Sequence, residues 1–424
     1  MNNPMSRREI LKTGIIGVAG GLAGCTGSSP ESGDDTSTPT PNSDTSTGPG
    51  ETETATEPAD LPAKFVKRDG TRFVVDGDRY VFAGVANCCL AEGYTSQARV
   101  QSVLDGASEL GADVLRFKIG CAGAGSDCGG TVDGCTVCFQ PEPGKFNETA
   151  FKHLDYIVAE AGKRGIRVIL PLVDNWGKNG MDQYVAWSDT ASNHDDFYTD
   201  QRVQELYRGY VKELLTRTNT ITGRKYREDP TVLMWELANE PRFDQDYQGF
   251  LSWVEDSAEY IHNLDGNHLV STGSDVYEED VYVEVHNTDG IDACSIHLWP
   301  QNWDREENAG KFGTQYIKNR VERGKEDVGK PVYLGEYGWR VNLQAKDAES
   351  QLQRRAEMFG IWHDAALKAD IDGAIAWELL SDSRLRYHQE EAGQGETVGF
   401  AYPEHSATIE ELQSFMKQIQ KTSG

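Results

Sequence analysis

The sequence has no long hydrophobic run and comparatively few basic side chains. Beyond the amino-terminal region no 18 consecutive residues are apolar, so no membrane-spanning helix is expected there. The 424 residues include 68 acidic and 41 basic side chains, for a formal net charge of −27. Residues 1–60 contain nine acidic and three basic ones, which leaves −21 on the remainder. An acidic chain without a basic stripe repels nucleic acid and anionic lipid, so we expect neither as a partner.

Lysine is especially scarce, with 18 lysines against 23 arginines. An acidic, lysine-poor composition is typical of proteins that work in concentrated salt, where mobile ions screen the repulsion between surface charges. We therefore expect a halophilic protein. The alternative is an ordinary solvated acidic surface.

Motifs for the common cofactors are missing. No Gly-x-Gly-x-x-Gly sequence follows an early strand, which argues against a dinucleotide-binding fold. No internal repeat is evident. We expect the protein to need neither a metal ion nor an organic cofactor.

The amino terminus has the pattern of an export signal. Arg7 and Arg8 form a twin-arginine pair, and residues 14–24 are a weakly apolar stretch too short to span a bilayer. Residues 22–25 resemble a lipobox that ends at Cys25, although a plain signal peptide with an incidental cysteine is the alternative. The sequence therefore predicts an export signal over residues 1–25, lipidation at Cys25, and an extracellular protein tethered to the outer face of the membrane by that lipid alone.

A polar segment follows the signal. Residues 26–60 are Ser, Thr, Pro, Gly, Asp and Glu with almost nothing apolar. Such a segment cannot bury enough surface to offset the entropy of ordering it, so we predict a disordered tether. The folded domain is expected over residues 61–424.

Seven cysteines lie in the expected domain, and an exported protein can keep disulfides. Four of them fall in a Gly-rich loop at 121–138, where disulfides are favoured over a zinc site or free thiols. Cys294, in a predicted strand, is a candidate for an inert buried thiol. The seven are Cys88, Cys89, Cys121, Cys128, Cys135, Cys138 and Cys294.

Strand-like and helix-like segments alternate along the domain. Turn signals at 69–70 and 76–77 predict a small β-hairpin lid ahead of the main body. Eight apolar segments read as strands of a parallel sheet covered on both faces. Their alternation with helices predicts an α/β fold, a (β/α)8 TIM barrel with an N-terminal β-hairpin. The strands are expected at 81–87, 113–119, 166–173, 232–239, 268–272, 291–297, 331–336 and 372–377, and the helices at 97–110, 149–164, 200–216, 247–264, 312–323, 348–367 and 408–419.

Two glutamates close strand-like runs. Glu240 follows the apolar run at 232–239, and Glu336 follows the run at 331–335. A carboxylate at the end of a buried strand is costly unless it is paired or takes part in chemistry. Two such carboxylates facing each other are what a glycosidase uses as acid and nucleophile, whereas the simpler alternative is a strand-end salt bridge. The candidate site residues at or just past strand ends, where barrel enzymes place their active sites, are Arg116, Trp176, Asn239, Glu240, His297, Trp299, Glu336 and Trp377.

Five segments make most of residues 65–420 resemble the β-1,4-mannanase branch of glycoside hydrolase family 5. The Asn-Glu-Pro motif at 239–241 marks the wider clan, while the third-strand stretch and the segment around His297 point to mannan. The five segments are 172–185, 235–242, 265–270, 296–303 and 331–338.

The resemblance implies a role for each matching residue. Glu240 is similar to the acid/base and Glu336 to the nucleophile. Arg116 resembles the arginine that orients the nucleophile, Asn239 the contact to the sugar 2-hydroxyl, and His297 the histidine that lines the cleft. The resemblance further makes Trp377 the floor of the cleaved subsite, Trp176 a stacking platform and Arg242 a contact to the leaving sugar.

Trp299 departs from the family pattern. The family usually has tyrosine there, with its hydroxyl on the nucleophile, whereas an indole N–H donates one hydrogen bond and accepts none. Each binding residue also has a structural alternative, namely a barrel ion pair for Arg116, a core histidine for His297, packing for the tryptophans and a solvated side chain for Arg242. Glu236 and Glu378 are interpreted as structural or peripheral, and Asp174 either binds sugar or caps a loop.

The sequence as a whole predicts a secreted, retaining glycoside hydrolase that cleaves internal β-1,4-mannosidic bonds. We expect a monomer with a mannan-type polysaccharide as its partner. The alternatives are a β-1,4-glucanase of the same family, a transglycosylase, and a tethered carbohydrate-binding protein without activity. Because sugar specificity depends on a few hydroxyl contacts, the sequence resolves it poorly.

Overall fold

The computed structural model describes residues 62–88, 90–92, 96–123, 138–176, 179–274, 278–381 and 396–423. The predicted export signal, the predicted lipidation site at Cys25 and the predicted tether at 26–60 lie outside the described residues. Cys89, Cys128 and Cys135 do so as well.

A three-stranded antiparallel sheet precedes the main body. Its strands are β1 (Lys67–Asp69), β2 (Arg72–Val75) and β3 (Asp78–Tyr80), joined by tight turns. Gly70 and Gly77 have φ angles of +57° and +92°, which glycine adopts at no steric cost in such turns. The predicted hairpin is therefore present, with a third strand added.

The main body is a barrel of eight parallel strands, as predicted. Each barrel strand except the fifth pairs with the next one along the chain, and the last pairs with the first. A bridge between Ser271, which ends the fifth strand, and Ala293, which directly precedes the sixth, closes the barrel. The strands are β4 (Phe82–Ala86), β5 (Val114–Arg116), β6 (Arg167–Pro171), β7 (Val232–Glu236), β8 (Leu269–Ser271), β9 (Cys294–Leu298), β10 (Val332–Tyr337) and, after a short strand β11 (Val341–Asn342), β12 (Gly373–Ala376).

Every residue of these eight strands is buried, which explains why they read as continuous apolar runs. Two short strand pairs lie outside the barrel. In one, β11 pairs antiparallel with β14 (Glu396–Thr397). In the other, β13 (Leu379–Leu380) pairs parallel with β15 (Phe400–Ala401).

The helices pack their apolar faces on the outside of the barrel. All seven predicted helices are confirmed, with ends shifted by at most three residues. They are α1 (Gln97–Leu110), α2 (Glu148–Lys163), α5 (Gln201–Thr216), α6 (Tyr247–Leu264), α8 (Ala309–Arg323), α9 (Ala348–Lys368) and α10 (Ser406–Ile419), to which the structure adds α3 (Met181–Ala186), α4 (Asp196–Thr199) and α7 (Glu279–Asn287).

The three added helices lacked a clear sequence signal. Helices α3 and α4 have six and four residues, too few for a helical period to show. In α7, three valines alternate with polar residues, which is a strand pattern. The helix forms nonetheless because Tyr282, Val285 and His286, at helical spacing, are buried on one face.

The amino-terminal sheet, predicted as a small hairpin lid ahead of the main body, covers the end of the barrel where the strands begin. The Nζ of Lys67 donates to the carbonyl of Asn267, just before β8, over 2.5 Å. Arg79 pairs with Asp370, just before β12, at 2.6 Å. Buried Phe73 of β2 lies against Phe82 of β4, with ring centroids 5.9 Å apart.

Cys121 and Cys138 form a disulfide, so the favoured interpretation of the Gly-rich loop holds for this pair and the zinc alternative does not. Cys294 is fully buried, and burial raises the pKa of its thiol to about 12, which fits an inert thiol. None of the helices in the described ranges is both long and apolar enough to cross a membrane.

Candidate active site

The predicted site residues converge at the end of the barrel where the strands finish. Arg116 ends β5, His297 and Glu336 lie in the last two residues of β9 and β10, and Trp299 and Trp377 directly follow β9 and β12. Because parallel strands finish at one rim, side chains far apart in sequence share one cleft.

Glu240 and Glu336 meet across this rim. One carboxylate oxygen of each and a ring nitrogen of His297 all lie within 4.8 Å of one another. The Nδ1 of His297 is 2.7 Å from Glu240 Oε1 and 3.5 Å from Glu336 Oε2. The sequence-based expectation that the two carboxylates face each other agrees with this geometry.

The backbone of Glu240 is held in an uncommon conformation by a close contact with Gly273. Its φ angle of +50° is unusual for a residue with a side chain, and its N–H donates to the carbonyl of Gly273 over 2.8 Å. A Cβ on Gly273 would lie 2.0 Å from the carbonyl oxygen of Ala238. Only glycine therefore lets the segment after β8 approach closely enough to hold Glu240 in place.

Glu336 is buried and accepts two donors. The Nη1 of Arg116 donates to its Oε1 over 2.6 Å, and the indole N–H of Trp299 donates to its Oε2 over 3.1 Å. Burial raises the pKa of Glu336 well above its usual range, the Arg116 charge opposes this, and the neighbouring Glu240 adds to it. Trp299 thus contacts the nucleophile candidate through its single N–H donor.

Arg116 is shared among three acceptors. Besides Glu336, it donates through Nε to Glu236 over 2.9 Å and through Nη2 to the side-chain Oδ1 of Asn239 over 2.8 Å. The second oxygen of Glu236 accepts the Tyr333 hydroxyl over 2.6 Å. Burial works to lower the pKa of Arg116, but the two carboxylates outweigh it and keep the guanidinium charged.

Sequence reasoning did not single out Tyr333 or Lys118, and it interpreted Glu236 as structural or peripheral. Glu236, read as structural, is fully buried beneath the site and pairs with Arg116. Lys118 donates to Asp174 Oδ2, and Asp174 Oδ1 accepts from the amide of Asn239 over 2.9 Å. One signal in the sequence could have identified Lys118. It stands two positions after Arg116, and in an extended segment that spacing places both side chains on the same face.

The aromatic residues line the cleft around the carboxylates. Trp176 is 49% exposed, and its indole N–H donates to Glu240 Oε2 over 2.6 Å. The Arg242 guanidinium lies 4.8 Å from the centre of that ring, so the two predicted residues are neighbours. Trp377 is buried edge-on to Trp299, with centroids 6.2 Å apart. A half-exposed indole beside the acid candidate can stack on a sugar.

Two further buried carboxyls lie beneath the rim. Burial raises the pKa of Glu92 and of Glu378 to about 7, and nearby Lys118 opposes the shift in both. Glu92 accepts the Cys121 N–H over 2.8 Å, and Glu378 accepts the Cys88 N–H over 3.0 Å.

Within the part of the chain that the structure describes, Glu240, His297 and Glu336 are also the one cluster with the spacing of metal ligands. The Arg116 charge, 2.6 Å from Glu336, disfavours a cation there. The arrangement of two carboxylates with an arginine, an amide and aromatic walls instead suits proton transfer and attack on a sugar.

Comparisons with known proteins agree with this chemistry. A family model described as GH family 5 beta-mannosidase-like matches residues 63–378. "Mannan endo-1,4-beta-mannosidase 2" of Oryza sativa subsp. japonica is 32% identical over 371 residues, which cover 78% of this chain and 79% of that protein. "Mannan endo-1,4-beta-mannosidase 4" of the same plant is 30% identical over 375 residues, which cover 80% and 79%.

Solved structures give the same result. The endo-1,4-beta-D-mannanase of Thermotoga petrophila matches with a TM-score of 0.68 and 30% identity, over 80% of this chain and 100% of that one. The endo-1,4-beta-mannanase of Rhizomucor miehei matches with a TM-score of 0.69 and 25% identity, over 84% and 99%. The resemblance predicted from the motifs is thereby confirmed, and the chain belongs to glycoside hydrolase family 5, in its β-mannosidase-like group.

Proposed function

We propose that this enzyme is an endo-acting β-1,4-mannanase that retains the configuration of the anomeric carbon. The observation that carries the proposal is the meeting of Glu240 and Glu336 at the barrel rim, with oxygens within 4.8 Å of each other. Relatives that share about 30% of its sequence over four fifths of the chain are named as mannan-cleaving enzymes, which supports mannan as the substrate.

The spacing supports a double-displacement mechanism. Retaining glycosidases hold their carboxyl groups about 5–5.5 Å apart, whereas inverting ones need about 6.5–9.5 Å to admit a water between nucleophile and sugar. Glu336 attacks the anomeric carbon while Glu240 protonates the departing oxygen. Glu240 then deprotonates the water that releases the sugar from Glu336.

The surrounding donors support this division of roles. Two buried carboxylates so close together hold one proton more readily than two negative charges. The guanidinium of Arg116 donates to Glu336 and so favours the ionised form of Glu336, which is the form that a nucleophile needs.

The other residues position the sugar. Asn239 lies beside Arg116 and presents its amide to the 2-hydroxyl, a contact that strengthens at the transition state. Trp377 forms the floor beneath the reacting sugar, and His297 holds Glu240. Trp176 offers a stacking platform at the open side, and Arg242, whose guanidinium lies 4.8 Å from the centre of that ring, contacts the sugar that leaves.

Chemical rescue tests the two roles. We expect Glu336→Ala and Glu240→Ala each to lose most activity on an aryl β-mannobioside. Azide should restore turnover of both, giving the α-azide with Glu336→Ala, where it replaces the nucleophile, and the β-azide with Glu240→Ala, where it replaces water. Glu142→Ala, which removes an exposed carboxylate paired with Lys145, is the control.

Normal rates in Glu336→Ala, or an inverted first product from the unmodified enzyme, would contradict the assignment. Substrate choice is tested by initial rates on mannan, galactomannan, glucomannan and carboxymethyl-cellulose over a salt series. Faster cleavage of the cellulose derivative would replace mannanase by glucanase, binding without cleavage would indicate a carbohydrate-binding protein, and longer products at high sugar concentration would indicate transglycosylation.

We further propose that the enzyme is exported and tethered through a lipid on Cys25. The twin arginines, the lipobox pattern and the polar segment at 26–60 support this. Expressed in a native-like host, Cys25→Ser should release the enzyme into the medium, and Arg7→Lys with Arg8→Lys should keep it inside the cell. Unchanged membrane association of Cys25→Ser would contradict lipidation.

A further inference from the structure

The side-chain amide of Asn239 lies between a cation and an anion. Its oxygen accepts from Arg116 Nη2 over 2.8 Å, and its nitrogen donates to Asp174 Oδ1 over 2.9 Å. Arginine can only donate and a carboxylate can only accept, so the two neighbours allow a single orientation of the amide. Without these two neighbours, the amide could turn either its oxygen or its nitrogen toward the cleft.

Asp174 is itself held from the far side by Lys118. The Nζ of Lys118 lies 2.5 Å from Asp174 Oδ2, and the two side chains are only 11% and 13% exposed. Burial works to lower the pKa of Lys118, but Asp174 and Glu92 raise it above its usual range, so the ammonium stays charged. Asp174 therefore has one oxygen occupied by Lys118 and directs the other to Asn239.

A buried ion pair of this kind is expensive in solvation and contributes little net stability compared with apolar residues of the same size. Because the Lys118–Asp174 pair lies directly beside Asn239, we expect it to orient the Asn239 amide rather than to stabilise the fold. One N–H of the amide goes to Asp174, and the other is left for a substrate hydroxyl.

We propose that Asp174, anchored by Lys118, is a positioning residue that fixes the Asn239 amide so that its second N–H meets the sugar 2-hydroxyl at the transition state. This inference rests on the proposed function, because it assumes a mannoside in the cleft. Neither residue contacts the reacting atoms, and both act through Asn239.

The test compares two substrates that differ at a single hydroxyl, an aryl β-mannobioside and its analogue lacking the 2-hydroxyl on the sugar to be cleaved. Small displacements of a positioned group lower rates by about 10- to 100-fold. We expect Asp174→Ala to lower kcat/KM by that factor on the intact substrate and by less than about threefold on the 2-deoxy analogue. Asn239→Ala should show the same selectivity, and adding Asp174→Ala to it should cost little more.

A merely structural role would lower the rates on both substrates equally, and that result would overturn the inference. If Asp174→Ala does not fold, Asp174→Asn and Lys118→Met keep most of the side-chain volume and should show the same selective loss to a smaller extent. Asp370→Asn, which removes a carboxylate paired with Arg79 and Lys325 at the opposite end of the barrel, is the control and should leave both rates unchanged.

The outcomes separate this inference from the proposed function. An unmodified enzyme that cleaves neither β-mannoside would overturn both. Cleavage by the unmodified enzyme with equal losses on both substrates in the Asp174 and Lys118 variants would overturn the positioning role alone.

Discussion

At the scale of single residues, the site is organised by one guanidinium. Arg116 is fully buried and donates to Glu236, Glu336 and Asn239. The carboxylate of Glu236 forms a buried ion pair with Arg116, so the positive charge of Arg116 is balanced before substrate binds. Arg116 therefore holds three side chains at once: Glu336, Asn239 and Glu236.

Trp299 offers a test of how the nucleophile is tuned. Its N–H bonds to Glu336 and lowers the pKa of that carboxyl, so replacing it by phenylalanine removes a donor to the charged form. We expect Trp299→Phe to raise the pKa of Glu336. The acidic limb of the kcat/KM profile should consequently move to higher pH, as measured by initial rates across the pH range.

A matched variant separates this effect from lost packing. Trp253→Phe removes the same N–H from a buried indole on α6, outside the cleft, and should leave the acidic limb in place. An acidic limb that stays in place in Trp299→Phe would show that the indole N–H does not tune the nucleophile.

Glu378 makes the stability of the fold depend on pH. Burial raises its pKa from 4.5 to about 7. The native state thus binds the proton more tightly, so the stabilisation is complete below pH 4.5 and is lost as the pH rises through 7. Glu378→Gln should reduce the fall in unfolding free energy between pH 4 and pH 8 by about 3 kcal/mol at most, as measured by denaturant titration. If the unfolding free energy fell equally between pH 4 and pH 8 in Glu378→Gln and in the unmodified protein, this role of Glu378 would be contradicted.

At the scale of elements, the amino-terminal sheet supports the barrel from below. Phe73 lies against Phe82, Phe82 lies 6.1 Å from the Tyr333 ring, and the Tyr333 hydroxyl reaches Glu236. Packing thus runs from the sheet through the barrel interior to the floor of the site. A Cβ on Gly373 would lie 2.2 Å from the Phe82 ring, so glycine there makes the room that Phe82 needs.

Removing the Phe73 ring tests this support. Phe73 is fully buried, and Phe→Ala in a core costs about 3–5 kcal/mol. We expect Phe73→Ala to lower the unfolding free energy by that amount, while kcat changes far less, because Glu236 and Ser271 still hold Tyr333. Calorimetry and steady-state rates measure the two effects.

Ile221→Ala is the control for this change. Ile221 is 51% exposed, so its truncation should leave the unfolding free energy nearly unchanged. A small loss of stability in Phe73→Ala would mean that the sheet is dispensable to the barrel.

At the scale of the whole molecule, charge is the dominant property. A net charge of −21 on residues 61–424 destabilises the compact state through self-repulsion. Salt shortens the screening length from about 10 Å at 0.1 M to about 3 Å at 1 M. We therefore expect the melting temperature to rise between 0.1 M and 1 M salt, equally in sodium and potassium chloride, as followed by calorimetry. A melting temperature that falls with salt would contradict a halophilic protein.

The sequence by itself determined the architecture. Eight apolar runs that alternate with amphipathic segments leave few arrangements that bury both faces of every strand, so the barrel and the seven long helices were predictable. The carboxylates could be found for the same reason. Glu240 and Glu336 interrupt or end apolar runs, and parallel strands must bring such ends to one rim.

Only the tertiary structure decided which polar groups meet. Glu236 and Tyr333 lie on different strands, and Lys118 and Asp174 follow two others. No local spacing in the sequence records that these side chains meet. The same holds for the amino-terminal sheet, whose hairpin pattern is local while its place at the far end depends on contacts with β8 and β12. Periodicity is a property of neighbouring residues, whereas hydrogen bonding inside the barrel joins residues as far apart in the chain as Arg116 and Glu336, which are separated by 220 positions.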